Sequence, residues 1–363
     1  MKWLCFWRSQ LFAFGRGLRE INKASWNKAF MSNVAVLGAG QMGTAVAQLL
    51  AQNGHKVWLW DYNPETIKVI KEKGENPFLP DIKLSKRIKP EISMQLAVAR
   101  AELIVLAASS PYMRATAKHL SHCLETHKGK IVIAHIAKGL EEKTFLTIHE
   151  IVQSELPANL WREVVTISGP SIAKELVRGA PTAVVAASKS PAARELVRKI
   201  FESKTFRVAT SADIKGEGIC GALKNVYAIA LGMCDGMQLT MNAKAFMLTV
   251  VLSEMEEIAQ AFGGKRETVY GLAGLGDMIV TGLGDGRNRA LGERICRDGS
   301  CKFVFKEKEA QTHEGVAATK VTHDFLVKKK IRAPLAEMVY SVIYRGADPC
   351  AEIKKFFAKI KLS

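Results

Sequence analysis

The sequence predicts an α/β domain built on a doubly wound sheet, followed by a mainly α-helical domain. Two observations lead to this prediction. Up to about residue 211, short apolar runs of strand length alternate with helical patterns, as expected where parallel strands are joined by helical crossovers and buried on both faces. After about residue 213 the strand-like runs stop and long helical patterns follow. A chain of 363 residues also exceeds the usual size of one hydrophobic core, which favours two domains.

The individual elements can be placed along the chain from their apolar patterns. The predicted strands are residues 34–37, 57–60, 103–108, 131–135, 164–167 and 182–187. The predicted long helices of the second domain are residues 221–235, 243–262 and 315–328, and a glycine-rich loop is predicted at residues 282–286. We therefore divide the chain into an extension over residues 1–30, a sheet domain over residues 31–212 and a helical domain over residues 213–363.

The composition is that of a compact globular protein with a strongly basic surface. Apolar residues make up 48% and charged residues 24% of the chain, which argues against intrinsic disorder, and the net charge is +17. A positive field favours anionic partners. Because the lysines and arginines are scattered and form no recognisable nucleic-acid-binding motif, a solvated basic surface is favoured over nucleic-acid binding, and we expect no nucleic-acid partner.

Cysteine and histidine usage indicates neither disulfides nor a metal. Seven cysteines occur without any C-x-x-C pair, so neither a disulfide framework nor a zinc ribbon is predicted. A reducing compartment fits best, and we predict a cytoplasmic location. His119, His122 and His127 lie near Cys123, but surface or helix-end histidines are the commoner explanation of such a group. We therefore predict no metal site.

The first thirty residues differ in character from the rest. They carry six basic residues, one acid, and tryptophans at positions 3, 7 and 26. Their apolar stretches are short and interrupted, which is unlike a spanning helix or a secretory signal, so no stable membrane insertion is expected. An upstream start or dispensable tail outside the fold is favoured over a membrane-surface segment and an organellar transit peptide.

Three glycines form a dinucleotide fingerprint between a predicted strand and a predicted helix. Gly38, Gly40 and Gly43 have the spacing G-x-G-x-x-G. The first makes a tight turn, the second lets a pyrophosphate approach the backbone, and the third allows the helix to pack closely on the strand. The predicted helix over residues 44–52 follows the turn directly, and the free N–H groups at its start favour an anion; Gln41 and Met42 lie within the turn. The sequence therefore predicts a Rossmann-type dinucleotide-binding domain over residues 31–212.

An acidic residue follows the next strand and indicates the preferred nucleotide. Asp61 lies eighteen residues after Gly43, at the end of the predicted strand 57–60. A carboxylate there accepts hydrogen bonds from ribose hydroxyls and repels a 2′-phosphate. Tyr62 and Asn63 come next, so no arginine directly follows to hold that phosphate. We expect NAD(H) or NADP(H) as the cofactor, with NAD(H) preferred.

Five further motifs occur in order along the chain. They are AKGLE at 137–141, GPSIA at 169–173, GALKNVYA at 221–228, GLAGLGD at 271–277 and GRNR at 286–289. Together with the glycine fingerprint, they resemble the NAD(P)-dependent glycerol-3-phosphate dehydrogenase family from about Met31 to the C-terminus. The resemblance implies hydride transfer between NAD(P)H and dihydroxyacetone phosphate, giving sn-glycerol 3-phosphate for glycerophospholipid synthesis. It leaves the oligomeric state open, with a homodimer as one alternative.

The resemblance also implies roles for individual residues. Lys224 is implied to be the general acid/base, with Lys138, Asp277 and Thr281 in the same catalytic cluster. The residues implied to bind the substrate are Lys138, Gly169, Ser171, Lys224, Asn225, Asp277, Gly286, Arg287 and Asn288. The residues implied to bind the cofactor are Gly38, Gly40, Gln41, Met42, Gly43, Asp61, Tyr62, Lys138, Ala173, Arg287 and Glu314.

The residue types suit this chemistry. Hydride reduction of a ketone develops negative charge on oxygen, which a nearby ammonium stabilises and then protonates. Lys224 lies in an otherwise apolar stretch, where a charge is costly unless it is paired. Arg287 offers a planar fork suited to phosphate.

Two other functions remain open at this point. One is a hydroxyacyl-CoA or phosphogluconate dehydrogenase with a similar domain order, but a hydroxyacyl-CoA enzyme calls for a catalytic histidine, and the motifs around Gly169 and Lys224 contain none. The other is an NAD(H)-sensing module without turnover, which would not need Lys138, Lys224 and Arg287 together.

Overall fold

The computed structural model describes residues 31–127, 129–305 and 314–360, and the described residues from Ser32 onward belong to one compact unit. The predicted extension over residues 1–30 lies outside the described residues, so its three interpretations stay predictions. Within the described ranges, no helix is both long and apolar enough to cross a lipid bilayer.

An eight-stranded sheet forms the first half of this unit. Its strands are β1 (Asn33–Leu37), β2 (Lys56–Trp60), β3 (Ile88–Glu91), β4 (Leu103–Leu106), β5 (Ile131–His135), β6 (Trp161–Ser168), β7 (Thr182–Ala187) and β8 (Phe206–Ser211). Their spatial order is β3-β2-β1-β4-β5-β6-β7-β8, and neighbours are parallel except for β6 and β7. The strand order reverses between β1 and β4, which opens a crevice at their carboxyl ends.

Helices cover both faces of the sheet. They are α1 (Gln41–Gln52), α2 (Pro64–Lys73), α3 (Met94–Val98), α4 (Met113–Leu124), α5 (Ile148–Glu155), α6 (Ala173–Val177) and α7 (Pro191–Phe201). Successive side chains of a strand point to opposite faces. Accordingly, Val34 and Val36 belong to the core formed with α1, α6 and α7, whereas Ala35 and Leu37 belong to the core formed with α3, α4 and α5.

The second half of the unit is helical and packs around one long, almost wholly buried helix, α8 (Ile214–Gly236). The other helices are α9 (Met241–Ala261), α10 (Arg266–Val269), α11 (Asp277–Leu283), α12 (Arg287–Arg297), α13 (Glu314–Lys329), α14 (Pro334–Arg345) and α15 (Pro349–Lys359). Glycines let α12 approach the α8 backbone: a Cβ on Gly232 would lie 1.9 Å from Arg289 O, and one on Gly292 would lie 2.0 Å from Ile229 O. This close packing places the first turn of α12 beside α8.

The predicted fold class is confirmed, but three details of the prediction were wrong. The sheet also contains β3 and β8, which lie at its two edges. Both edge strands lack a continuous apolar run, because β3 reads IKPE and β8 exposes Arg207. The glycine-rich loop is shorter than predicted, because α11 continues through Leu283.

The sheet is also not wholly parallel as predicted, because β7 runs antiparallel to β6. Their connection contains only the five-residue α6, which at about 1.5 Å per residue is too short to carry the chain back along a strand. The chain therefore enters β7 at the end of the sheet where it left β6. The proposed division at residues 212 and 213 falls between β8 and α8, and as a domain boundary it stays a prediction.

Candidate active site

A cavity of about 1000 Å³ opens at the carboxyl ends of the central strands and is closed on the other side by α8 and α12. The predicted site residues that line it are Gly38, Gly40, Gln41, Met42, Asp61, Tyr62, Lys138, Ser171, Ala173, Lys224, Asn225, Thr281, Gly286, Arg287, Asn288 and Glu314. The other three, Gly43, Gly169 and Asp277, contact residues of this lining. The fold therefore brings all the predicted site residues together.

The glycine turn after β1 has the geometry that a bound pyrophosphate needs. Gly38 has a φ of +119°, and a Cβ on Gly43 would lie 1.9 Å from Gly38 O, so neither position accepts a side chain. At Gly40, by contrast, no atom lies within 4 Å of where a Cβ would be, and the residue lines the cavity. α1 begins there without a side-chain cap and without an acid in its first turn. Its free N–H groups therefore suit an anion.

Asp61 is held rigidly at the next strand end. Its Oδ2 accepts a hydrogen bond from Ala39 N at 2.7 Å, and its Oδ1 accepts one from Asn63 N at 3.0 Å. Each carboxylate oxygen can accept a second bond, and the residue lines the cavity. The carboxylate can therefore still bind ribose hydroxyls. Tyr62, beside it, is 80% exposed.

A buried cluster of two lysines and one carboxylate lies across the cavity from the glycine turn. Asp277, at the start of α11, is 1% exposed. Its Oδ2 accepts a bond from Lys138 Nζ at 2.5 Å, and its Oδ1 accepts one from Lys224 Nζ at 2.8 Å. Lys138 Nζ also donates to Gly169 O at 3.0 Å, and Lys224 Nζ to Thr281 Oγ1 at 3.1 Å. Each ammonium thus has defined partners at the cavity wall.

The cluster of two lysines and one carboxylate carries a formal net positive charge. Burial lowers the pKa of Lys138 to about 8, with the Asp277 charge opposing and the Lys224 charge adding to that effect. Burial alone would raise the pKa of Asp277, but the two lysines outweigh it and hold that pKa below its ordinary value. A positive site of this kind suits an anionic substrate and a developing oxyanion.

A chain of buried polar groups holds the turn that carries Lys138. Burial lowers the pKa of His135 to about 3 and that of His149 to about 4, so both rings are neutral near pH 7. His135 Nδ1 lies 3.2 Å from Ala137 O and therefore carries the proton, because a carbonyl only accepts. Its Nε2 then accepts from Thr166 Oγ1 at 2.9 Å, and His149 Nδ1 donates to that hydroxyl at 3.3 Å.

A second helix N-terminus lines the same cavity. α12 begins at Arg287, and like α1 it has no side-chain cap and no acid in its first turn. Gly286 has no room for a side chain, since a Cβ there would lie 2.6 Å from Thr281 O. Asn288 is buried and accepts a bond from Gly315 N at 3.2 Å. The N–H groups of this turn and the Arg287 guanidinium provide a site for a phosphate.

Asn225 and Glu314 join α8 to the start of α13 at the cavity. Asn225 Nδ2, in α8, donates to Glu314 Oε2 at 3.3 Å. This contact places the first residue of α13 at the cavity, where the resemblance implied a position near the cofactor.

Several lining residues were not predicted from the sequence. They include Asn63, Tyr112, His119, Ser168 and Asp285. Asp285 lies inside the glycine-rich loop and Ser168 directly precedes GPSIA, so neighbouring motifs could have indicated both. His119 comes from α4 and packs edge-on against Trp60, with ring centroids 6.0 Å apart. No local pattern marks such a residue, because only the packing of α4 on the sheet brings it to the cavity.

Sequence comparisons identify similar proteins over nearly the whole described chain. Residues 33–194 match the family model for the NAD-dependent glycerol-3-phosphate dehydrogenase N-terminus, and residues 213–354 match the model for its C-terminus. The glycerol-3-phosphate dehydrogenase (NAD(P)+) of Bacillus subtilis is 36% identical over 333 residues, which cover 91% of this chain and 95% of the relative. That of Clostridium perfringens strain SM101 is 37% identical over 323 residues, covering 87% and 94%.

Solved structures agree with this similarity. A crystal structure of glycerol-3-phosphate dehydrogenase from Coxiella burnetii matches with a TM-score of 0.83 and 31% identity, covering 91% of this chain and all 100% of that one. The corresponding structure from Saccharomyces cerevisiae matches with a TM-score of 0.77, covering 89% of this chain and 98% of that one. At 23% identity, the second match supports the fold alone.

Proposed function

Because the chain belongs to the NAD-dependent glycerol-3-phosphate dehydrogenase family, we propose that it transfers a hydride reversibly between NAD(P)H and dihydroxyacetone phosphate, giving sn-glycerol 3-phosphate. The observation that carries this proposal is the placement of the Lys138–Asp277–Lys224 cluster in one cavity with two uncapped helix N-termini. One N-terminus suits the cofactor pyrophosphate and the other the substrate phosphate.

Different residues bind the cofactor and the substrate, at opposite ends of the cavity. The N-terminus of α1 and Asp61 hold the dinucleotide, which supplies the hydride when bound. The N-terminus of α12 and Arg287 hold the phosphate of the three-carbon substrate. The ketone then lies toward the lysine cluster, where the ammonium groups of Lys138 and Lys224 polarise its oxygen.

The proton transfer follows from the hydrogen bonds of the cluster. As the hydride adds to the carbonyl carbon, negative charge develops on the oxygen. Lys224 Nζ donates one proton to that oxygen, which becomes the hydroxyl, and the resulting amine regains a proton from solvent. Asp277 remains a carboxylate throughout, because two lysines hold its pKa low. In the oxidative direction, neutral Lys224 accepts the proton of the hydroxyl.

The alternatives considered from the sequence fit less well. The family models cover both halves of the chain, which excludes a hydroxyacyl-CoA or phosphogluconate dehydrogenase. A sensing module without turnover would gain nothing from the paired lysines, since buried charges are costly.

The cellular setting is part of the same proposal. We propose that the enzyme acts in the cytoplasm and feeds glycerophospholipid synthesis, without stable insertion into a membrane. The partners proposed are a small phosphorylated substrate and no nucleic acid, with either a monomer or a homodimer as the working unit. Sedimentation of the purified chain at micromolar concentration distinguishes these two states.

A cofactor oxidation assay tests the activity directly. NADH and NADPH consumption is measured with dihydroxyacetone phosphate, with unphosphorylated dihydroxyacetone and with acetoacetyl-CoA. Dihydroxyacetone phosphate should support turnover, and removal of its phosphate should lower kcat/KM by about a hundredfold or more, since charge-assisted contacts contribute about 1.5–3 kcal/mol each. Absence of consumption that depends on dihydroxyacetone phosphate contradicts the proposal.

A further inference from the structure

A second, much smaller cavity of about 10 Å³ lies behind the lysine cluster. Ser168 from the end of β6, Glu217 from α8 and Lys138 from the turn after β5 contribute polar side chains to it. Ala137, Lys138, Ile167 and Ser168 line both cavities and therefore form the wall between them. A volume of this size is close to the minimum that holds one water molecule.

Two side-chain oxygens of residues that line this small cavity have no hydrogen-bond partner among the described residues. In the ranges that the structure describes, the buried side-chain atoms without a partner are Ser168 Oγ, Glu217 Oε2 and Arg289 Nε. Ser168 and Glu217 both line the small cavity and are shielded from bulk solvent, since Ser168 is only 2% exposed and Glu217 only 4%. Buried polar groups are almost always satisfied, and ordered water is the usual partner when protein atoms are not. The coincidence of both atoms on one water-sized cavity therefore points to a water.

Glu217 also lies on the face of α8 that meets Lys138. Glu217, Gly221 and Lys224 are spaced i, i+4 and i+7, which places them along one side of the helix. A Cβ on Gly221 would lie 3.2 Å from Lys138 Cγ, so the aliphatic part of Lys138 packs directly against α8 between Glu217 and Lys224. Glu217 and Lys224 therefore lie on either side of Lys138 along α8, and both can influence its ammonium group.

We propose that the small cavity holds one water molecule that joins Glu217 Oε2 to Ser168 Oγ behind Lys138, and that Glu217 is a positioning residue whose ionisation favours the ammonium form of Lys138. The second part rests on the proposed function, because it is observed most directly through the pH dependence of turnover.

The electrostatics of the region support this role. The charged and titratable groups around Glu217 are Asp213, which caps the N-terminus of α8, Cys220 in α8, Lys138 and His135 from β5 and the turn after it, and His149 in α5. Burial, and next the Asp213 charge, raise the pKa of Glu217 to about 8, while the Ser211 hydroxyl and, to a smaller extent, the Lys138 charge oppose that shift. The pKa of Lys138 is also about 8. As Glu217 ionises, it places a negative charge behind Lys138 and favours the ammonium form.

Glu217→Gln in the full chain tests this effect. The amide keeps a hydrogen bond to the water but does not ionise, so the ammonium of Lys138 loses its support at alkaline pH. Profiles of kcat/KM against pH from 6 to 10 should show the basic limb shifted to lower pH by about half to one unit. Near pH 6.5, where Glu217 is protonated, kcat should stay within about threefold of wild type. An unmoved basic limb overturns the proposal.

Two further variants separate this effect from general damage. Ser168→Ala removes the second partner of the water and should shift the limb in the same direction by a smaller amount. Glu254→Gln is the matched control, because Glu254 is another buried carboxyl that bonds Tyr227 Oη and Leu335 N away from the cavity, and burial raises its pKa to about 7. This control should leave the limb in place. An equal shift in Glu254→Gln overturns the assignment to Glu217.

The water itself is tested by crystallography at about 1.5 Å resolution, independently of turnover. Electron density for one water within hydrogen-bond distance of Glu217 Oε2 and Ser168 Oγ is expected, and an empty cavity overturns the proposal. If the wild-type chain does not reduce dihydroxyacetone phosphate, the proposed function fails alone. The titration of Lys138 Nζ, followed by NMR in wild type and in Glu217→Gln, then decides the influence of Glu217, and identical titration curves count against it.

Discussion

Lys224 Nζ donates to Asp277 Oδ1 at 2.8 Å, while the other oxygen of the same carboxylate accepts from Lys138. One carboxylate therefore holds two ammonium groups from different parts of the fold at a fixed separation. In a buried site, each lysine alone would be costly, and the shared anion offsets part of that cost. The remaining positive charge faces the cavity, where the reaction develops negative charge. The following predictions test this arrangement and the binding sites on either side of it.

Lys224→Ala should lower kcat by about 10² or more while NADH binding survives, because we propose that Lys224 supplies the proton to the substrate oxygen. Steady-state kinetics and fluorescence titration with NADH measure the two effects. Lys244→Ala is a matched control, since the Lys244 side chain is 16% exposed against 13% for Lys224 and pairs with Asp235 away from the cavity. The control should retain kcat. Turnover near wild type in Lys224→Ala contradicts the assigned role.

Reduction of dihydroxyacetone phosphate should decline as pH rises through about 8, the pKa to which burial lowers Lys138. Above that pH the ammonium that stabilises the oxyanion is lost. Lys138→Arg should move this basic limb to higher pH, because a guanidinium remains charged there, even if its different shape lowers kcat. Profiles of kcat/KM against pH for both proteins make the comparison. A limb at the same pH in both would falsify the assignment to Lys138.

Arg287→Ala should raise KM for dihydroxyacetone phosphate by about tenfold to a hundredfold, because a charge-assisted contact to phosphate is worth about 1.5–3 kcal/mol. KM for NADH should change much less. Arg297→Ala, in the last turn of the same helix, is the control: Arg297 pairs with Asp298 at 3.4 Å and does not line the cavity. An unchanged KM for the phosphorylated substrate in Arg287→Ala counts against a phosphate site at this turn.

NADH should be preferred over NADPH by about tenfold to a hundredfold in kcat/KM, because the Asp61 carboxylate repels a 2′-phosphate at close range. Asp61→Asn should narrow this ratio, since the amide keeps one acceptor oxygen for the Ala39 or Asn63 N–H but carries no charge. Both cofactors are compared side by side at one ionic strength. An NADPH advantage in wild type, with an unchanged ratio in Asp61→Ala, means that Asp61 does not contact the ribose.

A protein that begins at Met31 should fold and reduce dihydroxyacetone phosphate normally. The compact unit starts at Ser32, and the first family match starts at residue 33. Circular dichroism, thermal unfolding and steady-state kinetics compare it with the full chain. Loss of soluble expression or of activity shows that the first thirty residues contribute to the fold.

Local patterns were enough to predict the central strands, because β1, β4 and β5 are buried on both faces and have continuous apolar runs. Local patterns did not predict β3 and β8. These two strands lie at the edges of the sheet, where fewer side chains are buried and a continuous apolar run is not required. Local patterns also did not predict the direction of β7, which is antiparallel to β6. It depends on the length of one connection relative to the sheet, which is a property of the assembled fold.

The sequence by itself determined the fold class and the dinucleotide turn, and it predicted residues that the fold brings to one cavity. This was possible because backbone geometry requires glycine at positions 38 and 43. In addition, Lys224 and Arg287 lie in motifs that resemble those of the family. The tertiary structure alone decided that Lys138 and Lys224, from opposite halves of the chain, share the carboxylate of Asp277. It likewise decided that Glu217 and Ser168 face one water-sized cavity, because burial and hydrogen-bond partners depend on distances between segments that are remote along the chain.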